Sequence, residues 1–281
     1  QDFEIIVIDN ASLDDSINHV HITYPEVKII QSLKNLGYAG GCNLGAKDAK
    51  GEYLFFLNND TILDENCIQK LVNKLKSDSK ISSVQPKILN LDNTSSFDYA
   101  GASGGFIDYL VFPFTRGRIF NRIEKDTGQY DDSIKIFWAS GAGFLTKKNT
   151  FDKIEGFDED LFAHMEEIDY HWKCYLAGYE VWVEPQAVLY HLGGATLSMG
   201  SPKKVYYNHR NSLILLLSNY SGWRSFCYFI LRLPLEIISS IKDLISLRPL
   251  HFLNHYLALL WIGLNFSIIL KRRKKIKSIK V

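Results

Sequence analysis

Short apolar runs alternate with amphipathic stretches through the first 90 residues, the pattern of a parallel sheet joined by helical crossovers. Strands are expected at 4–8, 27–31, 53–57 and 82–86, with helices at 13–20, 40–50 and 64–78, the second opened by a glycine pair. The run Tyr53-Leu54-Phe55-Phe56-Leu57 stops at Asn58-Asn59-Asp60. A buried strand thus carries two amides and a carboxylate to its carboxyl end, where open α/β sheets bind ligands. Residues 91–135 hold Gly101, Gly104-Gly105 and Arg116-Gly117-Arg118, too many breakers for a regular element, and read as a long surface excursion over the site. Order resumes with a strand at 134–138 that runs into the turn Ser140-Gly141-Ala142-Gly143, after which a helix follows. From 166 to 177, Ile168, Trp172 and Tyr175/Leu176 share one helical face and Gly178 marks its end. Strands at 180–183 and 187–190 lead to His191, and this body closes near residue 202.

The pattern then changes, and residues 203–281 read as a helical extension. Residues 249–270 contain no Asp, Glu, Lys or Arg. Twenty-two uncharged residues can span a bilayer, and the basic run behind them would keep the C-terminus cytoplasmic. Yet His251, Asn254/His255, Ala258, Trp261/Ile262 and Asn265 form a stripe with polar ends, which favours a helix lying in the headgroups. Either way, a basic tail near anionic lipid gains about 1 kcal/mol per Lys or Arg. The expected location is the cytoplasmic face of the cell membrane, peripheral or anchored through the C-terminus.

Composition sharpens this. The formal charge of the 281 residues is +1, but the last eleven carry seven Lys and Arg and no acid, leaving 25 basic against 31 acidic residues elsewhere. No nucleic-acid-binding surface is expected on such a body. Cys42, Cys67, Cys174 and Cys227 form no CxxC pair, which suggests neither a zinc ribbon nor a disulfide framework. The chain enters at Gln1 directly on a strand, so something upstream is expected to be missing.

Several residue groups could carry chemistry. Asp60 suits a divalent cation bridging phosphates, or else caps a strand-to-helix turn. Asp9 and Asn10 end another strand on the same sheet edge; Asp9 could accept from the N–H of a uracil or thymine, or cap the next helix. The segment from Asn35 to Gly45 is glycine-rich, but lacks a Walker lysine and does not fit GxGxxG. There Gly40 and Gly41 would let backbone and helix amides approach a diphosphate. His191 is either structural or a second metal ligand. Glu166, Glu167 and Asp169 crowd three acids into four residues, either complementing a helix dipole or supplying a general base.

Together, Ile8-Asp9-Asn10-Ala11-Ser12, Asn35-Leu36-Gly37-Tyr38-Ala39-Gly40-Gly41, Asn58-Asn59-Asp60, Trp138-Ala139-Ser140-Gly141-Ala142, Gly156-Phe157-Asp158-Glu159, Glu166-Glu167-Ile168-Asp169, Gly178-Tyr179 and His191-Leu192-Gly193-Gly194-Ala195-Thr196 occur in the order seen in glycosyltransferase family 2. Over residues 1 to about 215 the chain resembles a rhamnosyltransferase-like branch of it. The resemblance implies a GT-A fold, a mostly parallel α/β sheet flanked by helices. It also implies a nucleotide-sugar donor, Mg²⁺ or Mn²⁺, inversion at the anomeric carbon, and a glycan or lipid-linked oligosaccharide acceptor. Asp60 and His191 would hold the metal; Asp9, Asn10, Asn35, Gly40, Gly41, Asn43, Asn59 and Trp138 would meet the donor; Glu167, with Glu166 and Asp169 beside it, would supply the base. Two positions depart from the family pattern. Glu167 stands where an aspartate is usual, and Lys173 where an arginine is usual, which gives up the planar two-pronged donor. A sugar-nucleotide nucleotidyltransferase and a catalytically silent scaffold subunit are the competing readings.

Overall fold

The computed structural model describes residues 3–119, 122–193 and 200–280. The chain begins β1 (Ile6–Asp9), α1 (Ser16–Thr23), β2 (Lys28–Gln31), α2 (Gly37–Asp48), β3 (Tyr53–Leu57), β4 (Thr61–Leu63), α3 (Cys67–Ser77) and β5 (Ile81–Asn90). Short strands β6 (Gly105–Ile107), β7 (Pro113–Thr115), β8 (Arg118–Ile119) and β9 (Arg122–Ile123) follow. Next come β10 (Ile134–Lys135), β11 (Gly143–Lys147), α4 (Lys148–Lys153), a 3₁₀ turn (Glu159–Leu161), α5 (Glu166–Leu176) and β12 (Glu180–His191). Helices α6 (Pro202–Asn219), α7 (Gly222–Ile245), α8 (Pro249–Leu264) and α9 (Phe266–Ile279) complete it.

The central sheet runs β10-β12-β5-β11-β3, with β4 on the far part of β12. β12 is parallel to β5, while β11 lies antiparallel between β5 and β3. β1 and β2 form their own parallel pair beside α2. The expected strands in the first 90 residues are all present, and β5 continues to Asn90. The strand expected at 134–138 pairs only at Ile134 and Lys135; the longer strand is β11, beyond the turn. Gly143 opens it because any Cβ there would lie 2.4 Å from Leu189 Cδ1. The two strands expected at 180–183 and 187–190 are one, broken by a bulge between Glu184 and Val188. Pro86 lies opposite that break, and it has no N–H to donate to a ladder. The excursion over 91–135 carries the small antiparallel sheet β6 to β9. Its return is pinned by Lys87 to Asp126 and Asp131, and by Arg116 to Asp132 at 2.9 Å.

α5 packs on the sheet through Phe56, Phe144, Phe151, Phe157 and Tyr170, whose rings form edge and tilted contacts. On its other side, Ile168 and Trp172 share a core with Trp138, Met165 and the buried Leu213–Leu217 stretch of α6. The helical extension is therefore packed against the helix bearing the acid cluster. α9 returns to that same place. Arg272 is 4% exposed, pairs with Asp158, and donates from Nη2 to Asp169 Oδ1 at 2.8 Å. Arg273 donates to the Leu217 carbonyl at 2.6 Å, and Lys275 meets Glu155 at 2.7 Å. Three of the tail's basic residues are thus engaged inside the protein.

Removing one partner of a buried ion pair strands the other, which costs about 3–5 kcal/mol. Arg272→Met is expected to lower unfolding stability by that amount in urea at pH 7. Asp169→Leu should cost at least as much, because it strands the buried Lys173 as well as Arg272. A single variant within about 1 kcal/mol of the parent would mean that the pair does not hold α9.

Candidate active site

Sheet register brings together residues far apart in sequence. β4 follows Asp60 directly and pairs with β12 so that Thr61 faces His191, and Leu192 N donates to the Asp60 carbonyl at 3.0 Å. His191 Nε2 then lies 3.2 Å from Asp60 Oδ1 and 3.5 Å from Asn58 Nδ2. On its other side, His191 Nδ1 lies 2.8 Å from Oδ1 of Asp98, which is 2% exposed. A buried carboxylate on one ring nitrogen fixes the tautomer and leaves the other nitrogen free to coordinate, an arrangement typical of metal-bound histidines. Burial alone would lower the His191 pKa, but the hydrogen bond and charge of Asp98 and the charge of Asp60 outweigh it and raise it. A carboxylate oxygen and an imidazole nitrogen side by side are a donor set that fits Mn²⁺; Mg²⁺ would rely on the oxygen and on waters. The glycine turn expected beyond Gly193 lies outside the described residues.

Glu166 and Glu167 open α5. Glu166 is buried and Glu167 partly exposed, and each leaves Oε2 without a hydrogen-bond partner. Burial pushes Glu167 up to about 7 and, joined by the charge of Glu167, lifts Glu166 well above the carboxylate range. The Tyr38 phenol is raised first by burial, then by Cys42 and by the charges of Glu166 and Glu167. It donates to the Gly141 carbonyl at 2.8 Å, while the next carbonyl, of Ala142, accepts from Asn58 N at 3.1 Å. Asp60, His191 and Asn58 thus form one cluster at the end of β3, and Tyr38 is bound to the turn that leads from that cluster into β11. A separate cavity of about 310 Å³, lined by Glu52, Lys147 and Tyr179 among others, lies at the opposite ends of β3 and β11.

Several expected site residues serve other purposes. Asp169 is fully buried; burial would raise its pKa, yet Arg272, Lys173 and Asn219 hold it below the usual value. It is an ionised anchor, out of reach of a substrate. Trp138 is 4% exposed and its indole donates to the Phe106 carbonyl at 2.8 Å, under Gly105, so it is core and not a donor platform. Asn43 spends its side chain on Phe157 N, Phe157 O and Glu159. Asn10 donates to Gly37 O at 2.9 Å and accepts from Leu36 N at 2.8 Å, and Asn35 accepts from Gly37 N, so both shape the start of α2. That helix begins at Gly37 and not at the Gly40-Gly41 pair, which is buried against Leu36 and Asn10. Asp9 accepts from Ser12 N at 2.8 Å in the loop before α1 and lies 3.4 Å from Gln31 Nε2; it does not cap that helix, which starts at Ser16 behind Asp15. Asn59 is exposed beside Asp60. Lys173 is buried, donating to Gly156 O at 2.8 Å and lying 3.4 Å from Asp169 Oδ2, so its compact ammonium suffices.

With that geometry described, the relatives can be compared. The model of glycosyl transferase family 2 matches residues 1–154. The chain belongs to glycosyltransferase family 2. It is 24% identical over 260 residues to an N-acetylglucosaminyl-diphospho-decaprenol L-rhamnosyltransferase of Mycobacterium tuberculosis, covering 87% of this chain and 84% of that protein. It is 25% identical over 268 residues to a poly-beta-1,6-N-acetyl-D-glucosamine synthase of Staphylococcus aureus, covering 92% of this chain but 57% of that one. Among solved structures, GalNAc-T7 with UDP, GalNAc and Mn²⁺ superposes with a TM-score of 0.57 at 18% identity, over 74% of this chain and 41% of that one. The mannosyltransferase PcManGT of Pyrobaculum calidifontis, in complex with GDP-Man and Mn²⁺, gives 0.50 at 13% identity, over 92% and 77%. The fold is GT-A, and by family the chain is a glycosyltransferase.

Sequence reasoning missed Asp98, Tyr38 and the pair Arg210-Asn211. Asp98 and Tyr38 carry no signal beyond residue type. Asn211 does: it is a polar residue at the head of the apolar Leu213–Leu217 run, where an unpaired amide would be costly. Its Nδ2 donates to the carbonyls of Leu161, Ala163 and His164 at 2.7–2.9 Å, and Arg210 Nη2 donates to Asp160 O and Leu161 O. Those carbonyls belong to the segment before Glu166, in which Phe162, His164 and Met165 all have left-handed φ. Such strain persists only where the surroundings impose it. Asn211→Leu is expected to lower kcat about ten-fold or more, as loss of positioning does, while leaving donor affinity within about two-fold. Steady-state kinetics beside donor calorimetry checks this, and equal losses in both would point to unfolding instead.

Proposed function

We propose that the chain transfers a sugar, with inversion, from a nucleotide-sugar donor to a hydroxyl of a glycan or lipid-linked acceptor during cell-surface polysaccharide assembly. The donor is a UDP- or dTDP-sugar, rhamnose among the candidates, and the place is the cytoplasmic face of the cell membrane. The observation that carries this reading is the Asp98–His191–Asp60 relay at the carboxyl end of β3; that Glu167 at the start of α5 works opposite it is part of the proposal. Glu167, with a pKa near neutrality and a free carboxylate oxygen, takes the proton of the acceptor hydroxyl. The acceptor oxygen then bonds to the anomeric carbon from the face opposite the leaving group, and the bond from that carbon to the nucleoside diphosphate breaks, its electron pair leaving with the phosphate. Asp60 and His191 would hold Mg²⁺ or Mn²⁺, which when bound neutralises charge on the departing diphosphate. Asp98 fixes the ring that presents His191 Nε2, and Asp9, at the end of β1 in the separate β1–β2 pair, is the candidate for base recognition.

A rhamnosyltransferase of a diphospho-decaprenol-linked sugar and a poly-N-acetylglucosamine synthase among the relatives support a lipid-linked or glycan acceptor. A silent scaffold is disfavoured, because it would have no need to keep one oxygen of each of two adjacent glutamates buried without a hydrogen-bond partner at the start of α5. The deciding experiment is a screen of UDP-, dTDP- and GDP-sugars with Mn²⁺ and short glycan or lipid-linked acceptors, read by product mass spectrometry. A product with inverted anomeric configuration is expected from one donor class. Silence with every donor, in protein that still binds none by calorimetry, would sink the reading.

A further inference from the structure

α7 and α8 are built inside out. The residues α7 turns inward are polar or charged: Ser225, Arg232, Glu236 and Ser240 are all at most 2% exposed. Arg232 Nε donates to Glu236 Oε1 at 2.7 Å, and the other oxygen of Glu236 meets His209 and His255 at 2.6 and 3.3 Å. His255 Nε2 in turn lies 3.1 Å from Asp243. Outward, the same helices present Ile230, Ile237 and Ile241 of α7 and Leu253, Leu260 and Leu264 of α8, each 45–75% exposed. A shallow apolar groove of about 330 Å³ runs on this side between Tyr206 and Leu257, Trp261 and Leu264. A helix pair that hides its charges and shows its aliphatic side chains inverts the pattern of a water-facing surface. Of the stripe expected to lie among headgroups, His251, His255, Ala258 and Ile262 instead face the protein, while Asn254 and Trp261 line the groove.

Among the described residues no single helix is long and apolar enough to cross a membrane, though α8 and α9 together are by length and composition. They meet at a 70° bend, and both outer ends are tied to the rest of the chain. At the start of α8, His251 Nε2 lies 2.9 Å from Gly200 O; in α9, Arg272 pairs with Asp158 and Asp169, and Lys275 with Glu155. A crossing would carry one of those ends about 30 Å away, to the opposite side of the hydrocarbon. The lysines of α9 that remain exposed, Lys271, Lys274 and Lys277, with Lys280 just beyond, have no acid among them.

We infer that the α7–α8 face is a monotopic membrane-docking surface, dipping its aliphatic side chains into one leaflet of an anionic bilayer while the α9 lysines engage the headgroups. The occupant is lipid, because an exposed aliphatic surface followed, on the next helix of the same chain, by exposed lysines without acids supplies what the two layers of an anionic leaflet bind. The inference rests on the proposed function only for its purpose, which is to bring the cleft to a membrane-borne acceptor.

The test is flotation of the full chain with vesicles of phosphatidylcholine alone or with 30% phosphatidylglycerol. Binding should be at least about ten-fold stronger to the anionic vesicles, given several lysines near the surface. Ile241→Glu/Leu260→Glu should reduce it at least about ten-fold. With Cys42 and Cys227 changed to Ser, Ser278→Cys should react with an impermeant maleimide added outside vesicles to which the protein was bound from outside. Three results overturn the inference: no vesicle binding by the parent chain, protection of position 278 from the reagent, or a face variant that turns a dimer into a monomer without altering vesicle binding. Donor binding in vesicle-free solution is read in parallel, so loss of docking with donor binding intact separates this inference from the transferase reading.

Discussion

Glu167→Gln lowers kcat by about 10²- to 10⁴-fold, some 3–5 kcal/mol of barrier, while calorimetric affinity for the donor stays near that of the parent chain. The amide is nearly isosteric and keeps the packing at the start of α5, but it cannot take a proton. The pH profile adds a second, independent mark. Burial raises Glu167 to about 7, so the ionised, proton-accepting form grows in as pH rises through neutrality. In the parent chain kcat should therefore climb through about pH 7 and level off above it, and the variant should lose that inflection. The same shift has a thermodynamic sign. Between 4.5, the usual value, and about 7 the folded protein holds a proton that the unfolded chain has released, so this group's contribution to stability falls as pH rises across that window. Turnover of Glu167→Gln within a few-fold of the parent would transfer the role to Glu166, the neighbouring carboxyl.

Asp60→Ala should reduce Mn²⁺-dependent binding of the donor nucleotide by about 10²-fold or more, bringing it to the level of the parent chain without metal. Removing a carboxylate that contacts the cation takes away both its charge and one coordination position, leaving His191 alone. Asp98→Asn is the informative companion. It keeps the shape but no longer holds the ring by charge, so metal affinity should fall by about 10- to 100-fold, the loss usual for the partner of a liganding histidine. Calorimetry at several Mn²⁺ concentrations reads both. If metal dependence is the same in Asp60→Ala as in the parent, Asp60 is not a ligand.

Most of the frame was legible because strands and helices announce themselves locally. The apolar run 53–57 ending on Asn58-Asn59-Asp60, and the spacing of Ile168 and Trp172 on α5, depend only on residue order and on the two periodicities of the backbone. The mistaken details are those in which a distant partner decides. β11 has no pattern of its own, since all but its last residue are buried, and it becomes a strand by filling the gap between β3 and β5. Asn43, Trp138 and Asp169 were read as site residues from motif position, but each spends its polar atoms on a neighbour 30 or more residues away.

By itself the sequence determined the class of fold, the family, the acid pair that opens α5 and the carboxylate at the end of β3. These follow from short-range pattern and ordered motifs. Only the tertiary structure decided which of three acids is buried in an ion pair, that Asp98 stands behind His191, that Arg210 and Asn211 brace the strained approach to Glu166, and that α7 and α8 face outward with their apolar side. Each of those outcomes is set by contacts between segments that pairing register and helix packing bring together, and residue order alone does not encode which side of a helix another segment will cover.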